Sequence, residues 1–262
     1  MSQKKFALYI PFNMFATPGS KELTAKWIRE RLSIFMKYTR SSIGQLHTTP
    51  FMAYILYHPS CENLINNLLS NYPISSNNIK FIPSNSYETE IANYISDSKY
   101  FYELHLDSDD FYFGNTIHYL DTFTPNPQTE ALIFNQGYLY DTVSHKLTGC
   151  TTTCSSFYCL IYKTKDYLNG KRYNISHYTD VMKLHYQPLW GLFFIKHLHR
   201  LNTSSSINDL SKIHMTNLKL DPTPIDDPNK ILKGFYNPFE TTFSPVVPKY
   251  EEKKVAFKIQ KI

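Results

Sequence analysis

Residues 100–115 read YFYELHLDSDDFYFGN, an apolar run of strand type that leads into three carboxylates, Asp107, Asp109 and Asp110. Carboxylates this close together repel one another unless a cation or hydrogen-bond donors offset their charge. The stretch therefore predicts either a cation site or a turn in which the aspartates cap backbone N–H groups.

The chain before this stretch alternates between strand-like and helix-like segments. The expected strands are FALYIPF (6–12), FMAYILYH (51–58), IKFIP (79–83) and YFYELHL (100–106). The segments between them carry apolar residues at steps of three and four, which predicts amphipathic helices, the first with Ser20 as its N-cap. Three such repeats predict βαβ units and a mostly parallel sheet. Because ligands bind beyond the carboxyl ends of parallel strands, the acids lie where a ligand site is expected.

The second half of the chain is less regular. Residues 130–141 predict a strand that enters a turn at Gly137. KLTGCTTT and SFYCLIYKT predict further strands, which we expect to be antiparallel. A helix is expected to start near Thr179, and residues 188–206 open apolar and close in a Ser-rich loop. We therefore expect a domain over 1–215 and a Pro-rich, basic extension over 216–262 that wraps the domain or is partly ordered.

Charge and composition limit the classes of partner. The net charge is +5, but the tail KYEEKKVAFKIQKI (249–262) holds five Lys and two Glu, so the body is close to neutral. This argues against nucleic acid as the partner and leaves peripheral contact of the tail with an anionic membrane surface open. No apolar run reaches the roughly 18–20 residues of a membrane span. The four cysteines form no C-x2-C pair, which favours buried free thiols and a cytoplasmic location.

The acid cluster at 107–110 has the chemistry of a divalent cation site. Two carboxylates one residue apart at a strand exit can face one Mn²⁺ or Mg²⁺ ion, which would hold nucleotide phosphates and neutralise a diphosphate leaving group. An EF-hand is excluded because Tyr112 stands where that loop needs glycine. A haloacid-dehalogenase motif fits poorly, since Phe111 follows Asp110 and the cluster follows the fourth strand.

Several segments together resemble the rhamnosyltransferase-like family of GT-A-fold glycosyltransferases. They are LHLDSDDFYFGN (104–115), the upstream RERLSIFMKYTRSSIGQLHTTPFMAYILY (29–57), and the downstream ALIFNQGYLYD (131–141) and SSFYCLIYKT (155–164). The similarity covers residues 6–205. It implies an α/β GT-A fold: a Rossmann-like, mostly parallel central sheet with helices on both faces and a smaller antiparallel, acceptor-side portion.

The resemblance also implies roles for the acids and for one arginine. Asp109 would ligate the metal ion, and Asp107 would ligate it too or contact the nucleotide ribose or a metal-bound water. Asp110 would contact the donor sugar or support the metal ligands. Arg31 resembles the helix arginine that such enzymes turn toward the donor.

Two further motifs carry over from the family. Pro11, Phe12 and Asn13 would hold the nucleobase, although this chain has YIPFN where the family often has an arginine before the Phe-Asn pair. In HLHRLN (197–202), His199 and Asn202 match the H-x-x-N that completes the metal site. The alternative is that these histidines lie on the surface at a helix end, where cations are favoured.

The catalytic base is less clearly marked. An inverting transferase needs a carboxylate that takes the proton of the acceptor hydroxyl. Asp180, at an expected helix start, is the first candidate and Asp166 the second; both also fit capping or solvated acids.

The sequence thus predicts a metal-dependent glycosyltransferase, inverting by analogy with the family. It would move a sugar, rhamnose by the family resemblance, from a UDP-, GDP- or dTDP-linked donor to a glycan or glycoconjugate. Two alternatives stay open. One is a metal-dependent phosphatase or phosphodiesterase that uses Asp107 and Asp109, and the other is a catalytically inactive GT-A-like binding module.

Overall fold

The computed structural model describes residues 2–46, 49–72, 76–200, 213 and 215–236. The strands of this part are β1 (Ser2–Pro11), β2 (Met52–Tyr57), β3 (Ile79–Pro83), β4 (Ser98–His105), β5 (Phe111–Tyr112), β6 (Ala131–Asp141), β7 (Lys146–Thr151), β8 (Cys154–Ser155), β9 (Tyr158–Lys163), β10 (Tyr186–Leu198), β11 (Met215–Thr216) and β12 (Lys219–Leu220).

Most of these strands join one mixed sheet with the order β12-β7-β6-β9-β4-β1-β2-β3. The four strands β3, β2, β1 and β4 run parallel, as the repeated βαβ pattern predicts. Strand β9 is antiparallel to both β4 and β6, and β6 is antiparallel to β7. Strand β10 pairs with β6 and β5. The predicted α/β class, with a parallel part and an antiparallel part, is confirmed.

The helices are α1 (Ala25–Ile34), α2 (Arg40–Ile43), α3 (Glu62–Leu69), α4 (Tyr87–Ile95), α5 (Thr116–Thr122), α6 (Thr164–Leu168) and α7 (Pro228–Tyr236). A π turn at Phe35–Thr39 connects α1 to α2. Thr24, not Ser20, caps α1, because its side chain accepts a hydrogen bond from the N–H of Trp27. Ser20 instead precedes a separate short turn at Lys21–Leu23 and makes no side-chain cap.

Helices cover both faces of the central sheet. On β1, Phe6 and Leu8 belong to a cluster that includes Ile28 of α1, whereas Ala7 between them packs with Ile91 of α4. Successive side chains of a strand point to opposite faces, so a strand with helices on both sides is apolar at nearly every position. This explains why FALYIPF is a continuous apolar run.

The second half corrects three expectations. Strand β6 runs through Gly137, where the sequence predicted a turn. Residues 186–198 form the long strand β10, where the sequence indicated only an apolar start to a loop. The helix expected near Thr179 is a short 3₁₀ turn at Tyr178–Lys183.

The start of the Pro-rich segment is folded against the sheet. Strands β11 and β12 pair with β8 and β7, and Leu232 and Phe235 of α7 are buried against β5 and β10 residues. Residues 237–262, with the basic tail, lie outside the described residues, so the division at 215/216 stays a prediction. Among the described helices, none has the length and apolarity that a membrane span requires. All four cysteines are buried free thiols.

A carboxylate interrupts one face of β4. Phe101 is fully buried on the face toward α4, but Glu103 follows it on that face, where the hydroxyl of Tyr87 donates a hydrogen bond to Oε2 at 2.8 Å. Burial raises the pKa of Glu103 to about 7, and the hydrogen bond from Tyr87 only partly opposes this. The folded protein therefore binds a proton at Glu103 more tightly than the unfolded chain does.

This predicts a pH-dependent effect of Glu103→Gln on stability. Because the folded pKa is above the unfolded value of about 4.5, ionisation of Glu103 costs the wild type stability as the pH rises from 4.5 through 7. The glutamine variant avoids this cost. We expect its free energy of unfolding, relative to wild type, to rise by about 1–3 kcal/mol between pH 4.5 and 8. Urea denaturation at several pH values measures this, with Glu90→Gln, a half-exposed residue of α4, as the control; a pH-independent difference would contradict it.

Candidate active site

The acid cluster lies in a turn that joins the central strand β4 to the short strand β5. The N–H of Asp110 donates to the carbonyl of Asp107 at 3.0 Å, which closes the turn. Strand β5 then pairs antiparallel with β10, and Thr39 of the π turn donates its hydroxyl to the carbonyl of Ser108 at 3.1 Å. The acids are thus fixed at the carboxyl end of the parallel strands, between α1 and β10.

Lys196 of β10 lies between two of the acids. Its ammonium donates to Oδ2 of Asp107 and to Oδ2 of Asp110, both at 2.8 Å. The N–H of His197 donates to the other oxygen of Asp110 at 2.9 Å. The side chain of Lys196 is 8% exposed and that of Asp110 is fully buried, so this ion pair is shielded from water.

Asp109 is held by a different pair of side chains. Arg31 of α1 forms a bidentate ion pair with it, through Nη2 and Oδ1 at 2.8 Å and through Nη1 and Oδ2 at 3.0 Å. His199, directly after β10, contacts Oδ2 through Nε2 at 3.0 Å. Arg31 also donates Nε–H to the hydroxyl of Ser108 at 3.1 Å. Arg31, Asp109 and His199, which the sequence predicted for one site, are therefore in contact.

The charges of the cluster are strongly coupled. Burial raises the pKa of Asp109, but Arg31 and the hydrogen bond with His199 outweigh it and hold that pKa far below its usual range. Burial also raises the pKa of Asp107, but the charge of Lys196 outweighs it, so that pKa is lowered. At Asp110, burial exceeds the attraction of Lys196 and raises the pKa. Burial lowers the pKa of Lys196, but its carboxylate neighbours reverse this and raise it, so the ammonium stays charged.

These pairings bear on the predicted metal site of Asp107, Asp109 and His199. Both oxygens of Asp109 are engaged by Arg31, the Nε2 atom of His199 faces Asp109 itself, and Lys196 engages Asp107. In the described ranges, no group of three His, Cys, Asp or Glu side chains converges as a metal donor set. As arranged, the residues do not fit Mn²⁺ or Mg²⁺, because an ion would first have to displace Arg31 or Lys196.

The residues predicted to hold the nucleobase build the loop after β1. Pro11 ends the strand, and Phe12 is buried in the core. Asn13 donates Nδ2–H to the carbonyl of Glu22 at 2.9 Å and accepts from the N–H of His58 at 3.0 Å. These side chains stabilise the loop, and their contact with a base stays a prediction.

Neither base candidate contacts the acid cluster in the described part of the chain. Asp180 caps the turn at Tyr178–Lys183, accepting from the N–H of His177 at 2.9 Å and pairing with Lys183 at 2.6 Å. The hydrogen bond from Lys183 is the largest cause that lowers the pKa of Asp180. Asp166 lies on α6 and accepts, through its carbonyl, from the N–H of Lys171. Asp180 is therefore a capping residue, as the alternative interpretation of the sequence predicted. A catalytic role for Asp180 or Asp166 stays a prediction.

Lys196 is the residue of this site that the sequence interpretation missed. Its signal is a single lysine inside the apolar run LFFIKHL (192–198), because a lysine is almost never fully buried unless it is paired. The interpretation of His197 and His199 as surface residues of a helix end is wrong, since they lie at the end of strand β10. Asn202 lies outside the described residues.

Comparisons with known proteins give structural likenesses at low identity. S. aureus TarS 1–349 in complex with UDP-GlcNAc matches with a TM-score of 0.43 and 13% identity, over 76% of this chain and 60% of that chain. The same protein in complex with UDP matches with a TM-score of 0.42 and 12% identity, over 74% of this chain and 60% of that chain. The 4-diphosphocytidyl-2C-methyl-D-erythritol synthase from Anaerococcus prevotii DSM 20548 matches with a TM-score of 0.38 and 12% identity, over 71% of this chain and 87% of that chain.

The chain thus spans about 60% of the length of the TarS chains that it matches. No protein-family model and no curated protein matches the sequence.

Proposed function

We propose that the chain is a nucleotide-sugar-dependent glycosyltransferase of the GT-A type. The observation that carries the proposal is the Arg31–Asp109–His199 cluster, fixed beyond the carboxyl ends of the parallel strands, where α/β sheets bind ligands. The guanidinium makes two contacts to Asp109, one to Ser108 and a longer one to Nε2 of His199 at 3.5 Å, which leaves one of the five N–H donors of an arginine. Arg31 would contact the donor diphosphate through this remaining donor.

The reaction is a displacement at the anomeric carbon of the donor. The oxygen of an acceptor hydroxyl forms the new bond to that carbon, and the bond between the carbon and the diphosphate oxygen breaks. The nucleoside diphosphate leaves with the electron pair, and a carboxylate takes the hydroxyl proton. A positive group held in place at the leaving diphosphate lowers the barrier because it needs no reorganisation during the reaction. Arg31, held by Asp109, supplies such a group.

Asp107 and Asp109 are the residues that would hold Mn²⁺ or Mg²⁺ if they were not paired with Lys196 and Arg31, and such an ion would neutralise charge on the diphosphate. The donor sugar, rhamnose by the family resemblance, and the glycan or glycoconjugate acceptor are likewise proposals.

Thermal unfolding against UDP, GDP and dTDP tests the proposal. A ligand at about 100 times its Kd stabilises the folded state by roughly 2.7 kcal/mol, which for a chain of this size raises Tm by about 5–10 °C. We expect such a rise for one of the three nucleotides. Running each nucleotide with Mn²⁺ and with EDTA tests the ion separately.

A Tm that stays constant with all three nucleotides in both buffers would overturn the transferase and favour a binding module. Release of phosphate from the nucleotides without an acceptor would instead favour a phosphatase.

A further inference from the structure

A cavity lies beside the acid cluster, on the face of the sheet that α4 covers. Its volume is about 340 Å³, within the range of small-molecule sites. Its floor is formed by β1, β4 and β9 through Tyr9, Glu103, His105 and Tyr158. The ring of Tyr158 stacks on that of His105 at 4.9 Å, so aromatic faces and polar atoms share the same surface.

Glu103 gives this cavity an open hydrogen-bond acceptor. Tyr87 occupies Oε2, and within the described part of the chain Oε1 receives no hydrogen bond. A carboxylate in the middle of a central strand is costly unless something compensates for its burial. Its neighbours Phe101 and Leu104 on β4 are fully buried and apolar, so packing alone does not account for an acid here.

The charges of the lining argue against an anionic ligand. Arg172 is the arginine of this lining, and it is paired with Glu88 through both Nε and Nη2. It also donates to the carbonyls of Tyr167 and Lys171, both at 2.7 Å, and its guanidinium lies 3.4 Å from the ring centre of Tyr167. Because Arg172 is engaged in this way, the cavity has little positive charge for a phosphate group. It does present the Glu103 carboxylate as an acceptor for a hydroxyl group.

We propose that this cavity binds the acceptor as an uncharged, hydroxyl-bearing sugar ring, whose hydroxyl donates to Glu103 and whose apolar face lies against the tyrosine rings. This rests on the proposed transferase function and names the place and chemical class of its acceptor. Glu103 lies within β4, whereas Asp107 lies beyond the end of that strand, in the turn to β5, and is not part of the cavity lining. A sugar in the cavity therefore lies next to the proposed donor site without overlapping it, and Glu103 binds the acceptor rather than the reacting atoms.

Saturation-transfer NMR with a panel of methyl glycosides tests the proposal. The panel holds the α- and β-methyl glycosides of glucose, galactose, mannose, rhamnose and N-acetylglucosamine. At pH 8, where Glu103 with its pKa of about 7 is mostly ionised, we expect ring-proton signals from at least one glycoside. We expect its affinity to fall about tenfold or more in Glu103→Gln, because a neutral amide replaces the charged acceptor of the hydrogen bond. Phe15→Ala is a second variant, since Phe15 lines the cavity but is 74% exposed and its loss spares the core.

Glu90→Gln is the matched control, because Glu90 lies on the same helix as Tyr87 but pairs with Lys80 outside the cavity. The Tm rise with nucleotide is measured on every variant. Unchanged nucleotide binding with weakened glycoside binding in Glu103→Gln and Phe15→Ala supports the proposal. If no glycoside of the panel gives a saturation-transfer signal, or if these two variants lose nucleotide binding, the proposed acceptor site is wrong.

The two proposals can fail separately. If glycoside binding depends on Glu103 but the protein binds none of the nucleotides, the sugar site is supported and the transferase function is wrong. Nucleotide binding without glycoside binding overturns the sugar site alone.

Discussion

Replacing Lys196 with methionine is expected to lower the free energy of unfolding by about 3–5 kcal/mol at pH 7. Methionine keeps the apolar stem of the side chain but removes the ammonium that bonds Asp107 and Asp110 at 2.8 Å. Asp107 is 31% exposed and can regain water, whereas Asp110 is fully buried and keeps, among the described residues, the N–H of His197 as its donor. Most of the loss therefore comes from the uncompensated charge of Asp110.

The pH dependence of this loss has a definite sign. Burial already raises the pKa of Asp110, and removal of Lys196 raises it further. A protonated Asp110 carries no charge to compensate, so the deficit of the variant shrinks as the pH falls toward 4 and grows as it rises. Urea denaturation at pH 4.5 and 7, followed by circular dichroism, measures both values.

Lys80→Met is the matched control, because Lys80 also pairs with an acid at 2.7 Å but both side chains are about 40% exposed. Exposed pairs of this kind are worth about 0–1 kcal/mol. If Lys196→Met costs no more than Lys80→Met, the buried ion pair between Lys196 and Asp110 does not stabilise the fold as described.

The parallel half of the fold was predictable because its signals are local. A strand covered on both faces is a continuous apolar run, and helices between such runs show a period of three to four residues. The position of Asp107–Asp110 followed from this half alone, since the end of the fourth strand fixes where the acids lie.

The second half was less predictable because its strands depend on distant partners. Residues 186–198 pair with β6, more than fifty residues earlier, and no local pattern marks that register. Without β10 as a strand, Lys196 has no evident place beside the acids. The Asp180 cap also had a local signal, in HYTD (177–180), but that signal fits a capping residue as well as a base.

Replacing Arg31 with methionine is expected to reduce kcat/KM for sugar transfer by about 10²–10³-fold, the usual effect of losing one preorganised group that stabilises transition-state charge. The donor for this assay is the sugar nucleotide of whichever nucleoside diphosphate raises Tm. The substitution also leaves Asp109 buried with His199 as its remaining side-chain partner in the described ranges, so the folded state itself is weakened. A fall in activity alone would therefore not separate binding of the diphosphate from loss of structure.

The double variant Arg31→Met/Asp109→Asn separates the two effects. Asparagine removes the charge that methionine leaves uncompensated, so we expect the double variant to recover much of the stability lost in Arg31→Met. If Arg31 contacts the diphosphate, transfer stays low in the double variant although the fold is restored. If Arg31 serves only to neutralise Asp109, activity returns together with stability, and the proposed role of Arg31 in transfer is wrong. Urea denaturation and initial rates on wild type, both single variants and the double variant complete the cycle.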